Sequence, residues 1–350
     1  MTRSAPNSTT YASAGRGGLG SCTLWMLILA GLVLIALTSG PVDIQLIDLY
    51  RYIISLFTDN PNPQSSMVET VLLQIRGPRI IAAIVIGAAL AASGAAYQGI
   101  FRNPLVSPDI LGVSAGAALG ATIALFFSLN VAAIQAFAFI GGLAAVAVVY
   151  FVGTAVRGHD PILALILSGV IIGTLFSACV ALFKYLADPY NQLPAITFWL
   201  LGSLAMVAPA DLKYVLPAVL LGLLPMVLLR WRMNLLSLPD DEARALGVHT
   251  ARLRLAMVCA ATLMTAAGVA ASGIIGWIGL LVPHAARMLV GPQFARLLPM
   301  SMLLGACYLL GIDTLARSLV EIEIPPGVLT ALLGAPFFIW LLVASRRSWA

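Results

Sequence analysis

The stretch QGIFRNPLVSPDILGVSAGAALGA, residues Gln98–Ala121, interrupts an apolar chain with Arg102, Asn103, Pro104, Ser107, Pro108 and Asp109. It then runs at once into glycine and alanine. Pro104 and Pro108 cannot continue a helix, and they push the residues before them toward extended angles. The cluster therefore reads as a tight turn between two apolar helices, with Arg102 in the headgroup zone. Ser107 or Asp109 is placed to cap the second of these helices. Gly112, Gly116 and Gly120 recur every fourth residue and so share one helix face. The preceding helix offers Gly87, Ala91 and Gly94 in the same style. Small residues let backbones approach closely in lipid, where apolar burial gives helix pairs no help. Two readings stand: plain helix packing, or a tightly packed hairpin that lines a translocation path.

Composition sets the solvent. The chain has 350 residues, 61% hydrophobic and 9% charged, with a mean hydropathy of +1.00. A soluble domain carries about 25% charged residues. This chain cannot hide so much apolar surface inside itself, so the expected fold is an all-α membrane protein. About ten spans of roughly 20 residues fit the length. The apolar runs fall at 24–40, 79–98, 110–129, 131–156, 162–183, 212–229, 254–274, 276–290, 298–318 and 327–344. The eighth run is short and carries Pro283. Residues 1–23 read as a disordered cytoplasmic tail ahead of a single transmembrane domain at 24–345. A cleaved signal peptide is the alternative, but no small-x-small cleavage site is clear after Gly40.

Charge gives the orientation. The net charge is +5, which reflects arginine in loops on one side of the membrane and not a nucleic-acid-binding stripe. With the N-terminus inside, thirteen basic residues are cytoplasmic: Arg3, Arg16, Arg102, Arg157, Arg230, Arg232, Arg244, Arg252, Arg254, Arg287, Arg296, Arg346 and Arg347. Six lie outside: Arg51, Arg76, Arg79, Lys184, Lys213 and Arg317. Losing or adding one span would spoil this bias, so ten is the self-consistent number and both termini are cytoplasmic. A faint repeat supports it. Arg79 opens an apolar helix that runs through small residues into NPLVSPDILG, and Arg254 opens another that runs through ASGIIG into GLLVPHAARMLVG. The two starts are five spans apart, which predicts two inverted five-helix halves.

Several chemistries lack their residues. No glycine-rich loop precedes Lys184 or Lys213, the only lysines, so the sequence carries no phosphate-binding loop. Cys22, Cys179, Cys259 and Cys307 lie far apart, in or beside apolar runs, as small packers. His159, His249 and His284 have no metal-ligand spacing. No metal site and no cofactor is expected. An ion-coupled secondary transporter would need an ionisable group at membrane depth. Asp313 is the one acidic candidate, and Arg317 one turn later can pair with it. A structural pair near the outer interface is the plainer reading. A simple pore would call for a charged ring or filter loop, and neither is visible.

Residues 231–253 form the longest clearly cytoplasmic connection. Ser237 can cap a helix, Pro239 suits its first turn, and Asp240, Asp241 and Glu242 put negative charge at the positive end of its dipole. Gly247 is a good terminator, and Thr250 can cap the next helix. A short helix over 237–247 and a merely solvated loop are both compatible with this pattern.

The block Arg76–Ala121 resembles the signature region of the permease subunits of type II ABC importers, the FecCD family, which take up iron chelates and cobalamin. The likeness continues through DPYNQLPAITFWLLGSL, RMNLLSLPDDEARALGV, GWIGLLVPHAARMLVG and PPGVLTALLGAPFFIWLL, and covers nearly the whole chain after residue 40. The resemblance implies a ten-helix permease in a bacterial inner membrane, not itself an enzyme. It implies a homodimer with the pathway between the copies, two cytoplasmic ABC ATPase subunits and a periplasmic substrate-binding protein. It makes Asp241, Glu242, Ala243, Arg244, Ala245, Leu246 and Gly247 the coupling segment that docks into the ATPase. It makes Arg76, Arg79 and Arg317 docking anchors for the binding protein. The expected cargo is a ferric siderophore or haem, with cobalamin and molybdate as alternatives. Few polar side chains are available to grip a free metal ion, which suits an already chelated substrate.

Overall fold

The computed structural model describes residues 10–40, 44–55, 63–155, 161–319 and 322–345. Arg3, Arg157, His159, Arg346 and Arg347 lie outside the described residues. The helices in chain order are α1 (Thr10–Thr38), α2 (Leu46–Ser55), α3 (Pro63–Thr70), α4 (Gly77–Ile100), α5 (Val113–Phe126), α6 (Val131–Ala155), α7 (Pro161–Leu186) and α8 (Gln192–Leu201). They continue with α9 (Pro209–Leu228), α10 (Arg230–Met233), α11 (Asp240–Ala245), α12 (Thr250–Ser272), α13 (Ile278–Val290), α14 (Phe294–Ala316) and α15 (Pro326–Ser345).

Each of the ten expected apolar runs carries one helix: α1, α4, α5, α6, α7, α9, α12, α13, α14 and α15. Among the described residues seven helices are long and apolar enough to cross a membrane, and α5, α13 and α15 are shorter apolar ones. The helix α8 falls between two expected spans. Its ten residues reach about 15 Å at 1.5 Å per residue, half of what a bilayer core needs. A window sized for a full span passes over it.

Two helix starts differ from expectation. Helix α1 begins at Thr10, fourteen residues ahead of the apolar run at 24–40. Extending an existing helix costs only propensity, whereas starting one costs a nucleus. Arg79 does not open its helix either. A continuous helical segment runs from α3 through a π-helical turn, Val71–Arg76, into α4. The Gly77 N–H bonds the Leu72 carbonyl, five residues back. That wider turn lets Pro78, which has no N–H to give, sit inside the segment without breaking it. Val71 and Leu72 are held there by Ile44, with Leu37 packed beside them.

The packing treats the two halves alike. The central helices α4 and α12 touch each other; α4 also packs on α13 and α14, and α12 on α5 and α6. Two polar bonds cross the central pair. The Ser93 hydroxyl donates to the Ala261 carbonyl at 3.1 Å, and the Tyr97 and Thr262 hydroxyls lie 3.1 Å apart.

The small residues do pack closely, but not as a hairpin of α4 with α5. A Cβ on Gly116 would overlap the Gly141 carbonyl of α6, and one on Gly120 would overlap that of Phe137. Gly87 meets the Gly305 carbonyl of α14, where a Cβ on Gly305 would come within 2.6 Å of the Ala91 Cβ. Gly94 abuts Gly279 of α13. Gly112 is not part of the ladder. It sits at φ +76, closing a 3-10 turn over Pro108–Leu111, and a Cβ there would meet nothing nearer than 3.9 Å. Neither Ser107 nor Asp109 caps α5; Gly112 occupies the cap position, and Asp109 instead accepts from the Ser114 hydroxyl.

Replacing Gly116 with Leu should separate α5 from α6 and cost roughly 1–3 kcal/mol by overpacking. Thermal denaturation of the detergent-purified protein measures it. An unshifted melting temperature would show that this face has room.

Candidate functional site: two arginine clusters and an exposed helix

One end of the bundle gathers Arg76, Arg79, Asp313, Arg317 and Glu323. Asp313 is 0% exposed. It receives Arg79 through two nitrogens, Nε at 2.9 Å and Nη2 at 2.8 Å from Oδ1. Arg79 also bonds Glu323, with Nη1 3.1 Å from Oε2. Arg317 lies 3.6 Å from Asp313 on the same turn of α14. Its Nη atoms donate to the carbonyls of Ser39 at 2.7 Å and Ala36 at 2.6 Å, and Arg76 donates to that of Leu37. The last carbonyls of a helix have no partner within it and carry the negative end of its dipole. Two arginines from elsewhere in the chain satisfy those of α1. All three arginines are buried. The three arginines expected as docking anchors form a buried cluster that ties α1, α4 and α14 together. Asp313 is taken up by Arg79, so it offers no free carboxylate for ion coupling.

The other end carries the polar turn after α4 and the segment α10–α11. Residues Asn234–Ser237 form a 3-10 turn between α10 and α11. Pro239 takes the cap position of α11, while the Ser237 hydroxyl bonds back to the Asn234 carbonyl and caps nothing. Thr250 does not cap α12; its hydroxyl is buried without a partner. Gly247, at φ +81, ends the segment as expected.

Asp240 is the hub here. Its carboxylate accepts from Arg254 Nη1 at 2.9 Å and Nη2 at 2.6 Å, and from Arg102 Nη2 at 2.8 Å. Arg102 also donates from Nε to the Leu236 carbonyl at 2.6 Å, from a backbone at φ +50. It is therefore fixed to protein rather than resting among headgroups. The hydrogen bonds and charge of Arg254, with those of Arg102, hold the Asp240 carboxyl below the usual carboxylate range. Asp241, Glu242, Arg244, Ala245, Leu246 and Gly247 are exposed on this helix and the turn after it. Ala243 is the exception at 0% exposure. The sequence puts it on the docking face, but the single turn of α11 has to bury one side to be held at all. Leu246 is 62% exposed.

Sequence reasoning misses Asp240 as a hub and Glu323 as a partner. Asp240 lies 14 residues before Arg254 and 138 after Arg102. No local spacing rule links such positions. The available signal is an arginine directly beyond each apolar helix end, in want of a carboxylate.

The FecCD transport family matches residues 27–344 of this chain. The chain belongs to that family. The FecCD permeases most similar to it include the molybdate import system permease protein MolB of Haemophilus influenzae. It is 44% identical over 279 residues, covering 80% of this chain and 82% of the relative. The hemin transport system permease protein HmuU of Yersinia pestis is 42% identical over 286 residues, covering 79% and 84%. A solved metal-chelate type ABC transporter in an inward-facing conformation superposes with a TM-score of 0.84. It shares 39% identity, covering 93% of this chain and 99% of that one. This FecCD chain is thus a multi-span permease subunit of an ABC transporter, a transport component and not an enzyme. Its all-helical fold is that of the type II importers.

Within this FecCD permease, Asp313→Ala leaves the Arg79 guanidinium buried beside Glu323 alone. Removing one partner of a buried ion pair costs about 3–5 kcal/mol. A clear drop in melting temperature, with α1 more open to protease, is the expected result. Melting at the parent temperature would show that Glu323 suffices.

Proposed function

We propose that this chain imports a metal chelate across a bacterial inner membrane, driven by ATP hydrolysed on a partner subunit. The observation that carries this reading is α11. It is a single helical turn presented outside the apolar bundle, with charged Glu242 and Arg244 beside an uncovered Leu246. Leu246 supplies an apolar anchor and the charges set orientation, which is what a compact docking contact requires. The basic-residue bias puts α11 and both termini in the cytoplasm and the Arg79 cluster toward the periplasm. A periplasmic binding protein would deliver cargo there.

A second copy of the chain completes the pathway in this reading. Leu163, Leu167, Val170, Ile171 and Leu175 form an exposed apolar stripe along α7, and Leu332 and Leu333 are exposed on α15. The stripe's spacing matches one helix face. The cargo is a ferric siderophore or haem, supported by the likeness to a hemin permease. The similar likeness to a molybdate permease favours an oxyanion as the second reading. Uptake by proteoliposomes holding the permease, its ATPase and its binding protein separates them. Accumulation of labelled ferric chelate or haem, but not molybdate, supports the first; the reverse result replaces it. A complex holding one permease copy would sink the dimer.

Leu246→Asp tests the docking face. It lies outside the apolar bundle, so the permease should be recovered normally. Co-purification of the ATPase should fall about tenfold or more, the loss expected when an apolar interface anchor worth about 1.4 kcal/mol is removed. Parent-level capture together with parent-level uptake would show that α11 is not the ATPase contact.

A further inference from the structure

We infer that Asp240 is the positioning residue through which movement of α11 reaches the two central helices, α4 and α12. This rests on the reading of α11 as the ATPase contact. It adds how the displacement enters the bundle. A helix of six residues cannot hold its own orientation in water, because nucleation is not repaid over one turn. Its direction is set by what anchors it. Ala243 gives it a buried side, and Asp240 gives it a charged root.

That root is shared. Arg102 sits just past the end of α4, and Arg254 sits in the first turns of α12. One carboxylate takes both, from Arg102 at 2.8 Å and from Arg254 at 2.6 Å. Among the described residues, no other ion pair joins either arginine to a carboxylate. The two helices are already bonded to each other at Ser93 and at Tyr97. A tilt of α11 therefore pulls on both members of a connected pair. Two charge-assisted bonds from one guanidinium also fix angle as well as distance. Arg102 adds a further tie to the Leu236 carbonyl, so the turn before α11 travels with it.

Asp240 is not among the exposed docking residues, and this separates transmission from docking in the test. The complete complex is reconstituted with parent chain, Asp240→Asn, Asp240→Glu and Arg102→Gln. The readouts are ATPase co-purification, uptake, and the ratio of binding-protein-stimulated to unstimulated hydrolysis. Asp240→Asn keeps size and loses charge. It should retain the ATPase, yet its stimulation ratio and uptake should fall at least about fivefold, the lower end of usual coupling between linked sites. Asp240→Glu should recover part of the ratio. Arg102→Gln, which removes the ties from the end of α4 to Asp240 and to the Leu236 carbonyl but leaves Arg254 in place, should lower it too, and it keeps the question open to measurement if Asp240→Asn is poorly made. Parent-level stimulation in both Asp240→Asn and Arg102→Gln overturns the inference. So does loss of the ATPase from Asp240→Asn, which would make Asp240 a docking determinant. If the parent chain itself captures no ATPase, the proposed function fails instead, which is a separate result.

Discussion

Helices in hydrocarbon gain nothing from hiding apolar side chains from lipid, so they stay together where their backbones touch. In this bundle glycines make many of those contacts, and four of them set the central helices. Gly87 on Gly305, Gly94 on Gly279, Gly116 on Gly141 and Gly120 on Phe137 bring main chain against main chain. At each, a methyl group would land on a carbonyl. The four contacts join α4 to α14, α4 to α13, and α5 to α6 at two levels. They set how near each helix lies to its neighbours. Core residues such as Ile86, Met257 and Met264 then fill the spaces that these approaches leave.

The polar groups depend on that closeness. Ser93 and Tyr97 can reach α12 because the central helices lie side by side. Arg79 can reach Asp313 because α4 and α14 meet at Gly87 and Gly305. Burying a charge costs several kcal/mol unless it is paired and hydrogen-bonded. Arg79 meets two carboxylates, and Arg317 meets one carboxylate and two helix-end carbonyls. The arrangement binds α1, which among the membrane-crossing helices has the least of its surface buried. Its C-terminus is held by charge where side-chain packing is thin.

Much of this is legible in the residues. Apolar runs of about 20 residues locate the helices because a bilayer sets their length. Proline and charge locate the turn at 101–112 because neither suits a helix in lipid. Glycine spacing tells which faces are close. It does not tell which neighbour they face, since a small residue carries no address. That is why a hairpin of α4 with α5 looks plausible from the sequence although Gly116 meets α6. The charges are harder to read. An arginine at the end of an apolar run looks the same whether it snorkels, docks a partner or pairs within the chain. Arg76, Arg79 and Arg317 do the last, with partners up to 281 residues away. Ala243 reads as a docking residue by position in its block, and only its burial in a one-turn helix corrects that.

The two arginine clusters are joined by one helix. Arg79 lies near the start of α4, and Arg102 lies just beyond its end. The 24 residues of α4 span about 36 Å at 1.5 Å per residue. An α-helix with its hydrogen bonds intact shifts as a body more readily than it stretches. Along this length α4 is pressed on α14 at Gly87 and on α13 at Gly94, with no room for a methyl group at either. Such contacts cannot absorb a shift by compressing; they slide or they carry the neighbour along. The segment α10–α11 therefore meets, through Arg102, a rod that ends in the cluster holding α1 and α14. The polar interruption at Arg102 is where that rod is gripped, and the glycines beyond it set α5 against α6.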